Sequence, residues 1–275
     1  MSHQMHGTHR LRIVLGGTAL AFTASLGGVA APGQTASSVR APAIRVVEVT
    51  VDSTHITAPT VLSPGFTTFR STSKHPGTDS MAVVRLHRGV TYRQIFRYAR
   101  HGNLAAIFRH VTGKGGIAHG GPHNGRSWTT NLHRGRHLFV DDEANLFAKL
   151  LVTGSRHRSS RPHADGTISF HNGVFTLARP FHDGTWRLHN DDTIQHEIGL
   201  VRIHGGHTQA DVQRVLAAGT HPSWLEPQAT VNLVGPHRNA WVHLRGLEGF
   251  YVFLDYLPMY QGVADGPVAK FAHIR

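Results

Sequence analysis

Val84-Arg85-Leu86-His87-Arg88-Gly89-Val90-Thr91 is echoed, 117 positions on, by Val201-Arg202-Ile203-His204-Gly205-Gly206-His207-Thr208. Gly121-Pro122-His123 recurs as Gly235-Pro236-His237, and Gly135-x-His137-x-Phe139-x-Asp141 recurs as Gly249-x-Tyr251-x-Phe253-x-Asp255, both at an offset of 114. Three echoes in one order and at nearly one spacing predict a tandem of two like domains. The spacing is far above the roughly 20–50 residues of a solenoid repeat.

What recurs is strand, turn and helix-start chemistry. Met81–Leu86 and Ile198–Ile203 read as central strands, and each is followed by a helix start. Thr91-x-x-Gln94 and Thr208-x-x-Asp211 pair an N-cap hydroxyl with a side chain three residues on. The helix after Thr208 lines up Val212, Val215 and Leu216 and stops at Gly219; Ile95 and Phe96 take the same side in the first copy. Short runs rich in β-branched and aromatic residues, such as Phe66–Arg70, Trp128–Leu132, Thr185–His189 and Trp241–Leu244, predict strands. Asn172-Gly173 between Thr167–Phe170 and Val174–Leu177 predicts a tight hairpin. The expected fold class is all-β with small inserted helices, arranged as two tandem Greek-key β-sandwiches.

The domains are placed at 44–153 and 166–275, with a polar, basic linker at 154–165 and a flexible N-terminus at 31–43. Residues 1–30 read as a secretory signal peptide. Arg10 and Arg12 precede the apolar, small-residue run Ile13–Ala30, which closes on Gly28-Val29-Ala30. That run is interrupted by glycine and threonine and is short for a membrane anchor, and nothing later nears the ~20 apolar residues of a span. The expectation is a secreted, extracellular protein with no transmembrane segment after cleavage. Without cysteine it has no disulfide, and packing alone stabilises it.

The formal net charge is +12 and there are 24 histidines; only Lys74, Lys114, Lys149 and Lys270 among the 28 basic residues are lysines. Such a surface attracts anionic polymers, and acidification adds charge through histidine. Anionic cell-envelope polymers are the expected partners. Arg93, Arg97, Arg100 and Arg109 gather on or after the first helix, but no nucleic-acid motif accompanies them, and a solvated helix face is the preferred reading. Nothing in the chain indicates an oligomeric state.

The glycine-opened strand, the segment Asn190–His196 and the late strand Gly249-x-Tyr251-x-Phe253 together resemble the cupredoxin fold, the plastocyanin/azurin-type Greek-key sandwich. Many of its members hold copper for electron transfer. The likeness implies a tandem of such sandwiches without the type 1 copper cysteine. A type 1 centre needs a cysteine thiolate, two histidines and usually a weak axial methionine. The thiolate position is Asp255 here and Asp141 in the first copy, so the resemblance implies no type 1 copper. His196 falls where the family's first histidine ligand lies; its first-copy counterpart is near Asp79.

The remaining candidates are histidine-based. His189, His196, Glu197, His204 and His207 are candidate ligands for copper or zinc, since imidazole suits both metals. His196 with Glu197 leads the set through its family position. His87 and His204 repeat at strand ends, where an exposed structural position competes with a binding role. His119 and His123 share a loop, and His133 and His137 straddle a turn. Asp141-Asp142-Glu143 is the one acidic cluster, read as a solvated turn in preference to a hard-cation site. No nucleophile elbow, metalloprotease helix, phosphate loop or dinucleotide fingerprint is present. The expected function is a secreted, non-catalytic binding or cell-envelope interaction protein. A histidine-based copper or zinc buffer is the alternative. A secreted enzyme using His196, Glu197 and Asp255 in an interdomain cleft is a weaker one.

Overall fold

The computed structural model describes residues 42–74, 80–118, 127–141, 144–177, 180–261 and 267–274. The signal peptide, residues 31–41 of the N-terminal segment, Asp79, His119, the Gly121-Pro122-His123 turn, Asp142 and Glu143 lie outside the described residues.

The first half runs β1 (Arg45–Val51), β2 (Ile56–Thr57), β3 (Val61–Leu62), β4 (Gly65–Ser73), β5 (Met81–Leu86), α1 (Tyr92–Arg100), α2 (Leu104–His110), β6 (Val111–Ile117), β7 (Ser127–Leu132), β8 (Gly135–Asp141) and β9 (Leu146–Val152). The second runs β10 (Gly166–His171), β11 (Val174–Leu177), β12 (Gly184–Asn190), β13 (His196–Ile203), α3 (Gln209–Ala217), β14 (Leu225–Val234), β15 (Arg238–Leu244), β16 (Gly249–Asp255), α4 (Leu257–Tyr260) and β17 (Val268–Ile274). The architecture is almost entirely β, with small helical inserts and two separate sheets. One sheet has the order β11-β10-β12-β15-β7-β4-β1-β2, the other β17-β16-β13-β14-β6-β5-β8-β9-β3.

The doubled sequence is visible as doubled pairing. Parallel β1/β4 matches parallel β10/β12, and antiparallel β4/β7 matches β12/β15. Strand β5 lies between β6 and β8 as β13 lies between β14 and β16. The halves meet through equivalent strands, β7 against β15 and β6 against β14, both antiparallel. Trp128 faces Val242, the residue at the repeat offset of 114 from itself. An antiparallel pair in which a residue faces its own repeat-mate is the signature of a local twofold. The two halves therefore share both sheets edge to edge.

Burial explains why the central strands read as continuous apolar runs. In β5, Met81 and Val83 join the core between the sheets, while Val84 and Leu86 face a second cluster with Ile95 of α1. In β16, Tyr251 and Phe253 face the inner core, and Val252 and Leu254 face a third cluster with Val212 of α3. Each helix thus caps the outer face of one half of the nine-stranded sheet. Both start on the capping boxes that the spacing predicts, Thr91 with Gln94 and Thr208 with Asp211. Helix α3 closes at Ala218, and Gly219 follows at φ +63°.

Two echoed phrases pack on each other. Gly135 opens β8 at φ +137° and Gly249 opens β16 at φ +109°. A Cβ there would sit 3.3 Å from Arg85 Nε and 3.5 Å from Arg202 Nε, respectively. The repeated arginine lies over the repeated glycine in both halves.

Strands β3, β6, β9, β14 and β17 and helices α2 and α4 are additional to those read from the sequence. Strand β6 hides its β character behind three glycines in Val111-Thr-Gly-Lys-Gly-Gly-Ile117, and β14 carries Pro227. Both gain their strand conformation from neighbours on two sides, which local propensity does not report. Residues 154–165 carry neither helix nor strand. They are strapped to the sheets by the His157 N–H donating to the Pro64 carbonyl at 2.7 Å and the Asp165 N–H donating to Thr185 at 2.7 Å.

Candidate functional site

His196 begins β13 and Asp255 ends the neighbouring β16, and both face the inner core at 1% exposure. Asp255 Oδ2 accepts from His196 Nδ1 at 2.6 Å, and its Oδ1 accepts from the Leu257 N–H at 3.1 Å and the Glu197 N–H at 3.3 Å. On the other side of the ring, Asp192 Oδ2 lies 3.4 Å from Nε2. Phe170, from the opposite sheet, stacks on the imidazole at 4.6 Å. A neutral ring carries one N–H and serves one carboxylate; the imidazolium serves both. Burial alone would raise the Asp192 carboxyl, but N–H bonds from Gly173 and Thr193, with His196 beside it, hold it below its ordinary value.

These residues do not fit a type 1 copper. The chain has no cysteine, and Asp255, where the resemblance would put the thiolate, is hydrogen-bonded through its carboxylate to His196 Nδ1. Glu197 does not join its neighbour as a side-chain partner. Successive residues of a strand point to opposite faces, and Glu197 is half-buried on the side away from His196, meeting Asp255 through its backbone N–H.

The other candidates are dispersed. His189 Nδ1 lies 3.1 Å from Asn239 Oδ1 on the neighbouring strand. His204 Nε2 donates to Glu226 Oε2 at 2.6 Å. His207 stacks on Trp224 at 4.0 Å. The repeated strand-end histidine makes repeated contacts: His87 Nε2 is 2.9 Å from Thr112 Oγ1, the residue that corresponds to Glu226. Among the described residues no group of three histidine, aspartate or glutamate side chains is placed to hold a metal ion. Arg93, Arg97, Arg100 and Arg109 are exposed on α1 and α2. No helix among the described residues is long and apolar enough to cross a membrane.

Sequence reasoning missed the site at the junction of the halves. A cavity of about 270 Å³ opens there between β6 of one sheet and β4, β7 and β15 of the other. Lys114 forms part of its wall at 2% exposure, and its Nζ has no hydrogen-bond partner among the described residues. Desolvation, and then the charges of Arg238 and Arg85, push its amine down to about 7. His133, on the rim, is pushed down to about 4 by partial desolvation and by Lys114, Arg238 and Arg85. His137, behind it, is pushed down to about 3, chiefly by burial. Phe66 and Trp241 form an aromatic wall, edge to face at 5.6 Å, with the Arg161 guanidinium 5.4 Å from the Trp241 ring. The one signal in the sequence was a lysine set among glycines in a lysine-poor chain.

No protein-family model matches the chain, and no curated protein does. Among solved structures it is similar to reduced auracyanin from the photosynthetic bacterium Roseiflexus castenholzii, at 21% identity and TM-score 0.25, over 41% of this chain and 99% of that one. It is also similar to the copper-containing nitrite reductase of Thermus scotoductus, at 10% identity and TM-score 0.23, over 84% of this chain and 61% of that one. A third likeness is to the blue copper oxidase of Nitrosomonas europaea, at 12% identity and TM-score 0.21, over 84% of this chain and 86% of that one.

Proposed function

We propose that the chain is an exported, non-catalytic binding protein of the cell envelope, built on two cupredoxin-like halves that keep the sandwich and have given up its metal. The observation that carries this reading is the His196–Asp255 pair, closed at 2.6 Å and 1% exposed on both sides. A ligand-binding imidazole needs a free ring nitrogen, and a catalytic one needs access to substrate. Here both nitrogens face carboxylates inside the core. The chain stays strongly basic, going from +12 to +10 once Arg10 and Arg12 leave with the signal peptide, which favours an anionic partner on the envelope.

The test is calorimetric titration of Cu(II) and Zn(II) into untagged mature protein, beside a salt series of its binding to anionic wall polymer. The expected result is no metal binding tighter than micromolar, and polymer binding that weakens with salt. Submicromolar copper or zinc binding lost in His196→Ala or His204→Ala would replace this reading with a metal-handling one.

A further inference from the structure

We propose that the cavity at the junction of the two halves is a specific site for a tetrahedral oxyanion, a phosphate or sulfate group. It deepens the binding role proposed above by naming the chemistry of the ligand. Lys114 carries the inference. An ammonium withdrawn from water without a partner is strongly disfavoured, yet Lys114 is buried and its Nζ reaches no acceptor among the described residues. A structural lysine in a core is paired; an unpaired one at a cavity wall is waiting for an acceptor from outside.

The surroundings fix the sign of that acceptor. The described residues lining the cavity include Lys114, Arg161 and Arg238, with His133 and His237, and no aspartate or glutamate. Thr130, Asn131 and Asn239 add neutral hydrogen-bonding groups. These donors come from both sheets, from the rim and from residues 154–165, so they approach from several directions. A flat carboxylate is gripped best by a planar fork; donors spread in space suit a tetrahedral group. The volume of about 270 Å³ is several times the roughly 30 Å³ of a water molecule and leaves room for a group larger than solvent. Neither half builds the site alone. Lys114, Thr130 and Asn131 come from the first and Arg238, Asn239 and Trp241 from the second. The twofold makes no second copy, because the position matching Lys114 at the repeat offset is Gln228.

An anion that restores charge to Lys114 takes up a proton as it binds. The groups facing that amine are Arg85 from β5, His137 from β8, Arg238 from β15 and His133 at the rim; His237, also in the lining, has its Nδ1 3.7 Å from the Asp191 carboxylate just outside it. His133 and His137, held near 4 and 3, do not titrate near neutrality. Sulfate, which does not titrate there either, is the probe.

The experiment is calorimetric titration of sodium sulfate into the full mature chain at constant ionic strength, from pH 6 to 9, in buffers of differing ionisation heat. The expected result is saturable binding with proton uptake that tightens as pH falls through about 7. Lys114→Met should weaken it at least tenfold and abolish the pH dependence. Arg161→Ala, at an exposed residue outside the sheets, should weaken it several-fold without touching the fold. Dextran sulfate separates the sources. A more than tenfold tighter complex with the same dependence on Lys114 assigns a polymer-borne group, and free sulfate alone with that dependence assigns a free oxyanion. No saturable sulfate binding, or equal binding by Lys114→Met, overturns the proposal. Should Lys114→Met not fold, absence of proton uptake in the wild type, or full affinity in Arg161→Ala, overturns it as well.

Discussion

His196 and Asp255 stand on neighbouring antiparallel strands and join Nδ1 to Oδ2 at 2.6 Å inside the core. The contact unites the end of β16 with the start of β13, and Phe170 of the opposite sheet closes over it. Removing one member leaves the other buried without its closest partner: Asp255 keeps only the Leu257 and Glu197 N–H groups, and His196 only the longer contact to Asp192. Asp255→Asn or His196→Ala should each lower stability by about 3–5 kcal/mol, read as a fall in the urea midpoint. The double variant should lose less than the sum, since the partners act as a unit. A loss below about 1 kcal/mol in either single variant would show that the pair does not hold the strands.

Lys114 gives the free protein an alkaline dependence. Its folded value of about 7 lies below the ordinary 10.5, so between these values the unfolded chain binds more protons than the folded one. Stability therefore rises with pH across that window, by up to about 1.4 kcal/mol per pH unit, and is flat in this respect below 7. Thermal melts from pH 7 to 10 should show the rise in the wild type relative to Lys114→Met. Parallel curves would contradict it.

His137 acts on the acid side. Burial holds its folded value near 3, against an ordinary 6.5. Above 6.5 the ring is neutral in both states; between 6.5 and 3 only the unfolded chain takes up the proton, and stability falls as pH falls. Tyr251 occupies the corresponding position in the second half. His137→Tyr should flatten denaturant midpoints between pH 6.5 and 4 relative to wild type.

Gly135 and Gly249 carry the same load in each half. Alanine at either position must adopt φ +137° or +109°, and at Gly135 its Cβ also crowds Arg85 at 3.3 Å, whereas at Gly249 the 3.5 Å to Arg202 is ordinary contact. Each substitution should lower stability by about 1–3 kcal/mol, measured by chemical denaturation. A neutral result at both positions would mean that the strands can open at those points.

Much of this was legible in residue order. Central strands β5 and β13, the two capping boxes and the Asn172-Gly173 hairpin are local matters, decided by β-branched runs, side chains three residues apart and residues that tolerate positive φ. Asn172 and Gly173 do adopt φ +51° and +72°. Strands β6 and β14 were not legible, because their glycines and proline oppose strand formation until neighbours supply hydrogen bonds on both sides. At the site, His196 and Asp255 were each singled out by resemblance, but their contact and Asp192 as second partner required the fold. His196 leads with Glu197 through its family position; in the strand, consecutive side chains point to opposite faces, and Glu197 meets Asp255 through its backbone N–H.

The sequence by itself determined that the chain is built twice, because a repeat is a fact of order, and that no thiolate can hold copper, because there is no cysteine. Only the tertiary structure decided how the copies join and what the join creates. Strands β7 and β15 lie at equivalent places, 114 residues apart, and hydrogen bonds between them depend on facing edges, not on sequence neighbours. That edge-to-edge union continues both sheets, withdraws Lys114 from water and gathers Arg161 and Arg238 around it. Charge density is a property of three-dimensional proximity, and the basic residues scattered along the chain become a site only where the two halves meet.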